Sequence, residues 1–173
     1  MAALSKEQVA QFNDQGFVMV KGVFNPEADL DPIIREYYGI LDRLADQLFE
    51  AGEIKSRYED LSFSDKLMQI QTETGKVFHQ HFDFSLPQGG IKFDTPIWTG
   101  KAVFDVLRNK SLLDAVESLI GPEIYANPVQ HVRLKTPEAA IPAHLKHNVK
   151  LTKTPWHQDN GVVTPDADDT NMI

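Results

Sequence analysis

Thr154-Pro155-Trp156-His157-Gln158-Asp159, near the C-terminal end of the chain, is the stretch on which the rest of the sequence turns. In an extended strand side chains alternate between two faces, so His157 and Asp159 project to the same side. Both can then reach one metal ion. A His-x-Asp pair supplies two corners of the facial triad that holds non-haem Fe(II) and leaves positions open for other ligands. A second histidine completes such a triad, and none follows Asp159 before the chain reaches Ile173. The expectation is therefore an incomplete site, to be finished by a further C-terminal segment or a second subunit.

Working outward, His79, His81 and Asp83 form a second alternating set within Phe78-His79-Gln80-His81-Phe82-Asp83-Phe84. On ligand number this cluster exceeds the His157/Asp159 pair, and spacing alone leaves both open. The ordinary alternatives are a solvated turn for His157-Gln158-Asp159-Asn160-Gly161 and a packed strand with a polar outer face for Phe78–Phe84. His131, His144 and His147 are single histidines, which surface or hydrogen-bonded roles explain without a metal.

The 173 residues suit one domain with a substantial core. A formal net charge of −8 argues against a nucleic-acid surface, which needs a clustered basic stripe. No apolar run approaches a membrane span, and Met1-Ala2-Ala3-Leu4-Ser5-Lys6-Glu7 lacks the basic start and apolar stretch of a signal peptide. Cysteine is absent, which removes disulfides and thiolate metal sites. A cytoplasmic protein is expected. No glycine-rich phosphate loop or Gly-x-Ser-x-Gly elbow is present, so simple nucleotide and hydrolase readings have no anchor.

Ser5-x-x-Gln8 predicts a capping box opening a helix that Gly16 stops. Phe17–Val20 reads as a brief strand, closed by a turn at Phe24-Asn25-Pro26. Asp31-Pro32 opens a helix carrying Ile33, Tyr37, Ile40, Leu41, Leu44 and Leu48 at helical spacing and ending near Ala51. A short helix is expected near Ser64–Ile70. Helical signal returns from Gly100, with Ser111 capping a helix that ends at Gly121-Pro122. Ile124–Leu134 and Trp156–Val163 read as strands, and 135–153 as a long surface loop.

Taken in order, several segments resemble the phytanoyl-CoA dioxygenase family of Fe(II)/2-oxoglutarate oxygenases. Phe12 to Phe24 is similar to the family's N-terminal helix–strand unit. Leu112-Leu113-Asp114-Ala115-Val116-Glu117 leading into Gly121-Pro122-Glu123-Ile124-Tyr125 resembles its central helix–strand step. Leu134-Lys135-Thr136-Pro137 followed by Trp156-His157-Gln158-Asp159 resembles its iron-binding element, which favours the second His-x-Asp pair over the first.

The resemblance implies an α+β fold in which N-terminal helices pack on a double-stranded β-helix (jelly-roll or cupin-like) core, incomplete in this chain. Residues 1–173 would be the N-terminal portion of a single oxygenase domain, mostly helical over 1–120 and with barrel strands from about 123. It implies Fe(II) on His157 and Asp159, with 2-oxoglutarate as co-substrate contacted by Gln158, His131 and Lys92. It implies hydroxylation of a small organic or acyl substrate with release of succinate and CO2. The family's distal histidine and its carboxylate-pairing arginine fall outside this sequence, and neither Arg133 nor Arg108 matches that position. Two other readings stand beside it: an inactive fragment, and a cupin-like metal protein that draws a third ligand from His79, His81 or His131.

Overall fold

The computed structural model describes residues 3–83, 90–96, 98–126, 131–135, 137 and 141–147. The regular elements among these residues are helical, and no β-strand occurs among them. The expected double-stranded β-helix is thereby overturned. A strand exists only through the partner that accepts its hydrogen bonds, and the segments with strand-like alternation find none here. Phe17–Val20 takes no regular structure, the described parts of Ile124–Leu134 form no ladder, and His79–Phe82 winds into a helical turn. Trp156–Val163 lies outside the described residues.

Helix α1 spans Lys6–Gln15. Ser5 Oγ accepts from the Gln8 amide while the Gln8 side chain accepts from the Ser5 amide, so two otherwise unpaired donors are satisfied reciprocally. Gly16, at φ 76°, closes α1 in the left-handed conformation that costs glycine least.

Helix α2, Asp31–Glu50, begins at its Asp31-Pro32 signal. A π-helical turn over Pro26–Leu30 runs directly into it, with Asn25 Oδ1 capping the Ala28 amide and Pro26 in the first turn. The Asn25-Pro26 pair that reads as a turn is therefore a helix start. Helix α3 covers Phe63–Thr74, capped by Ser62 and ended at Gly75, and α4 is the single turn His79–Phe82. Helix α5 is Lys101–Val106. Helix α6, Lys110–Ile120, is capped by Asn109 rather than Ser111, through a 3.0 Å bond to the Leu112 amide.

The chain divides into two compact units. The described part of the first comes from residues up to 33 and from 101–126; the second takes its described residues from 34–100 and 131–147.

The second unit holds the core. Tyr37, Ile40, Leu41, Leu44, Ala45 and Leu48 form the buried stripe of α2, and Leu67 and Ile70 of α3, Ile54 and Phe82 are buried as well. Ile141 and Leu145, in the stretch read as a surface loop, are also buried and pack with Val77. They turn in through a 3-10 turn at Ala143–Leu145. Lys66 is buried at 4% exposure, its ammonium 2.7 Å from the half-exposed Asp42 carboxylate, so the long stem covers core surface while the charge reaches the rim. Glu73 pins the loop after α2 by accepting from the Lys55 amide and the Tyr58 hydroxyl.

In the first unit, none of the described residues is buried, although α1, α5 and α6 all belong to it. Leu4 donates its amide to Ser118 Oγ at 3.0 Å, tying the N-terminal segment to α6. Between them lies an open groove of about 560 Å³, lined by apolar side chains and glycine backbone from α1, the stretch after it and α6.

Candidate functional site

The polar centre of the second unit is built on Tyr37 and Asp83. Tyr37 sits on the buried stripe of α2, so its ring enters the core and its hydroxyl must find a partner there. It donates to the Phe82 carbonyl at 2.9 Å. Around it the Phe82 ring stacks at 6.0 Å, Trp98 meets it edge-on at 4.9 Å and Phe63 edge-on at 6.5 Å. Trp98 Nε1 donates to Glu36 at 3.3 Å. Burial first, and then the negative charges of Asp83 and Glu36, push the Tyr37 phenol well above its ordinary range. It is a neutral donor throughout the physiological range.

This cluster fixes Phe82, and Phe82 fixes the residue after it. Asp83 ends α4 with its amide bonded to the His79 carbonyl at 3.0 Å, and it is buried at 7% exposure. A buried carboxylate requires partners. Asp83 Oδ2 lies 2.8 Å from His131 Nδ1, and Oδ1 accepts from the Val132 amide at 3.2 Å. An ionised carboxylate can only accept, so Nδ1 carries the proton in this pair.

The Asp83 clamp holds the segment 131–135, whose exposure alternates residue by residue: His131, Arg133 and Lys135 outward, Val132 and Leu134 half-buried. Three nitrogen-bearing side chains thus share the outer side of one short stretch. The Lys135 ammonium is lowered from its ordinary range, by loss of solvent first and by the Arg133 charge second. Such a face suits a carboxylate or phosphate, which guanidinium and ammonium groups bind through charge-assisted hydrogen bonds.

Of the residues expected at the site, His131 is held as described. Lys92 is exposed in the second unit, its amide bonded to Thr95 Oγ1 at 2.9 Å. His157, Gln158 and Asp159 lie outside the described residues. The His79, His81 and Asp83 set does not share a strand face. In the helical turn that forms there, residues two apart point about 200° away from each other. His81 packs edge-on to Phe78 at 5.9 Å and is half-buried, which lowers its pKa from the ordinary histidine value. Among the described residues, no group of three histidine, cysteine, aspartate or glutamate side chains could hold a metal ion.

The pairing of Asp83 with His131 was not legible from spacing, since the two are 48 residues apart. The cationic side of 131–135 was: His-Val-Arg-Leu-Lys alternates polar and apolar, the period of an extended segment.

No family model, curated protein or solved structure matches the chain. Among the described residues, no helix is long and apolar enough to cross a membrane.

Proposed function

We propose that this chain carries part of the site of an Fe(II)- and 2-oxoglutarate-dependent oxygenase, similar to the phytanoyl-CoA dioxygenases, acting on a small organic or acyl substrate. His157 and Asp159 are the residues that would hold the iron, with a third ligand from a segment or subunit outside this sequence. Iron would supply a centre for oxidative decarboxylation of 2-oxoglutarate and hydroxylation of the substrate, releasing succinate and CO2.

The observation that supports the reading is the Asp83-held segment 131–135. Its outward His131, Arg133 and Lys135 offer a dicarboxylate such as 2-oxoglutarate two positive groups and an oriented imidazole. Arg133 does not occupy the family's arginine position, so this face would bind the co-substrate in a way of its own. Gln158 and Lys92 remain proposed co-substrate contacts. The absence of cysteine fits a reducing cytoplasm.

Direct binding of 2-oxoglutarate to the iron-loaded protein, measured by calorimetry, tests this reading. Arg133→Gln should weaken it by about tenfold or more, equivalent to roughly 1.4 kcal/mol. Unchanged affinity in Arg133→Gln and Lys135→Gln would remove the segment from the site. A second reading, an inactive fragment that serves as an interaction surface, is favoured by the exposed apolar groove of the first unit. It predicts no 2-oxoglutarate consumption under any condition.

A further inference from the structure

Both groups that meet the Asp83 carboxylate are donors. Oδ1 accepts from the Val132 amide at 3.2 Å, and Oδ2 takes the proton of His131 Nδ1 at 2.8 Å. An ionised carboxylate has two acceptor oxygens and serves both. The side-chain amide of asparagine has nearly the same shape but one acceptor and one donor, so it can serve only one of them. The carboxylate is itself held from behind. Tyr37 donates to the carbonyl of Phe82, the residue before Asp83, and the Phe82 ring stacks on Tyr37. The Asp83 amide is bonded to the His79 carbonyl. A side chain anchored to the core in this way orients what it binds. What it binds lies nearer the solvent: the side chain of Asp83 is 9% exposed and that of His131 31%. The buried carboxylate takes Nδ1, and the second nitrogen, Nε2, lies across the ring from that bond.

We propose that Asp83 is a positioning residue for anion binding that acts through the His131 ring, holding Nδ1 so that Nε2 donates to a carboxylate bound by Arg133 and Lys135. On the reading that 131–135 receives the co-substrate, Asp83 is the residue that aims it. His131, Arg133 and Lys135 alternate with Val132 and Leu134 and share the outer side of the stretch. Arg133 and Lys135 bring positive charge on long stems with many rotamers. The imidazole, fixed at one nitrogen, adds direction to that charge. To donate to the ligand, Nε2 must carry a proton while Nδ1 keeps its own. The ring is then a cation between two carboxylates, Asp83 and the ligand, and each favours the charged form. Asparagine at position 83 would withdraw both the negative charge and one of the two acceptors.

Calorimetric binding of succinate and of 2-oxoglutarate to the full chain, first without iron, tests the role. Succinate has the two carboxylates but lacks the keto group that chelates a metal. Asp83→Asn should weaken both anions by about tenfold or more while the helical circular dichroism is retained. His131→Asn is the paired variant. Its amide nitrogen falls near the place of Nδ1 and keeps a donor for Asp83, but nothing remains at Nε2. It should weaken binding as much, and combining the two should weaken it no further, because one residue acts through the other. Unchanged affinity in either single variant, losses that multiply in the double variant, or a native chain that binds neither anion would each overturn the proposal. Coupled binding of succinate, with no gain for 2-oxoglutarate when Fe(II) is added, would leave the positioning role standing and remove the oxygenase reading.

Discussion

Asp83 and His131, 48 residues apart, meet at 2.8 Å through Oδ2 and Nδ1, and the same carboxylate takes the Val132 amide. One buried aspartate thus sets both the tautomer of a histidine and the course of the backbone behind it. Asp83→Ala should cost about 1.5–3 kcal/mol, the range for hydrogen bonds to a charged group. Nitrogen-15 spectra should show His131 losing its preference for a proton on Nδ1, and the Val132 amide should exchange faster. A variant that keeps both signatures of the native protein would show that another group holds this segment.

Stability should fall as the pH rises past 10. Tyr37 ionises near 10.0 when unfolded but only above that when buried beside Asp83 and Glu36. Between the two points the unfolded chain has given up a proton that the folded chain retains, so unfolding gains. Tyr37→Phe should flatten this alkaline limb. It should also lower stability at pH 7 by about 1–3 kcal/mol, since the buried Phe82 carbonyl loses its donor. Urea midpoints across pH 8 to 11 measure both effects.

The acid side should show His81. Burial depresses its pKa below the ordinary 6.5, so on acidification the unfolded chain takes up a proton before the folded one does. Stability is fully present above about 6.5 and is lost as the pH falls from there towards the folded value. His81→Phe, which retains a ring against Phe78, should make the decline from pH 7 to 5 shallower. An identical decline in both proteins would assign the acid sensitivity to other groups.

The weight of the core rests on α2. Leu41 of α2 is fully buried, and Leu41→Ala should cost about 2–5 kcal/mol in chemical unfolding. Leu112→Ala on α6 should cost much less, because Leu112 is only half-buried. Equal losses at the two sites would mean that the groove of the first unit is already filled.

The helices were legible where a local signal and a buried stripe agreed. The Ser5/Gln8 capping box with Gly16 bounded α1, and the spacing from Tyr37 to Leu48 traced α2 to within a residue or so of its end. One start was misread where two capping residues competed: Asn109 won over Ser111 at α6. Phe78–Phe84 alternates as a strand does, but among the described residues no neighbouring strand offers hydrogen bonds, and Phe82 is drawn instead into the ring cluster of Tyr37 and Phe63. That cluster places Asp83. Its match with His131 is a tertiary event with no local periodicity to announce it, so Asp83 read as a companion of His79 and His81. Ile141 and Leu145 were similarly hidden, since two apolar residues amid prolines and charges form no recognisable stripe.

The central claim is that His157 and Asp159 hold Fe(II) and that 2-oxoglutarate joins it. The most direct test is an anaerobic titration of the native protein containing this chain with Fe(II) and 2-oxoglutarate, following the visible charge-transfer band of the chelated complex. The account predicts a band that saturates at one equivalent, vanishes in His157→Ala and in Asp159→Ala, and survives in His79→Ala and His81→Ala. A band unaffected by loss of His157 and Asp159, or no band with iron and co-substrate in excess, would contradict it.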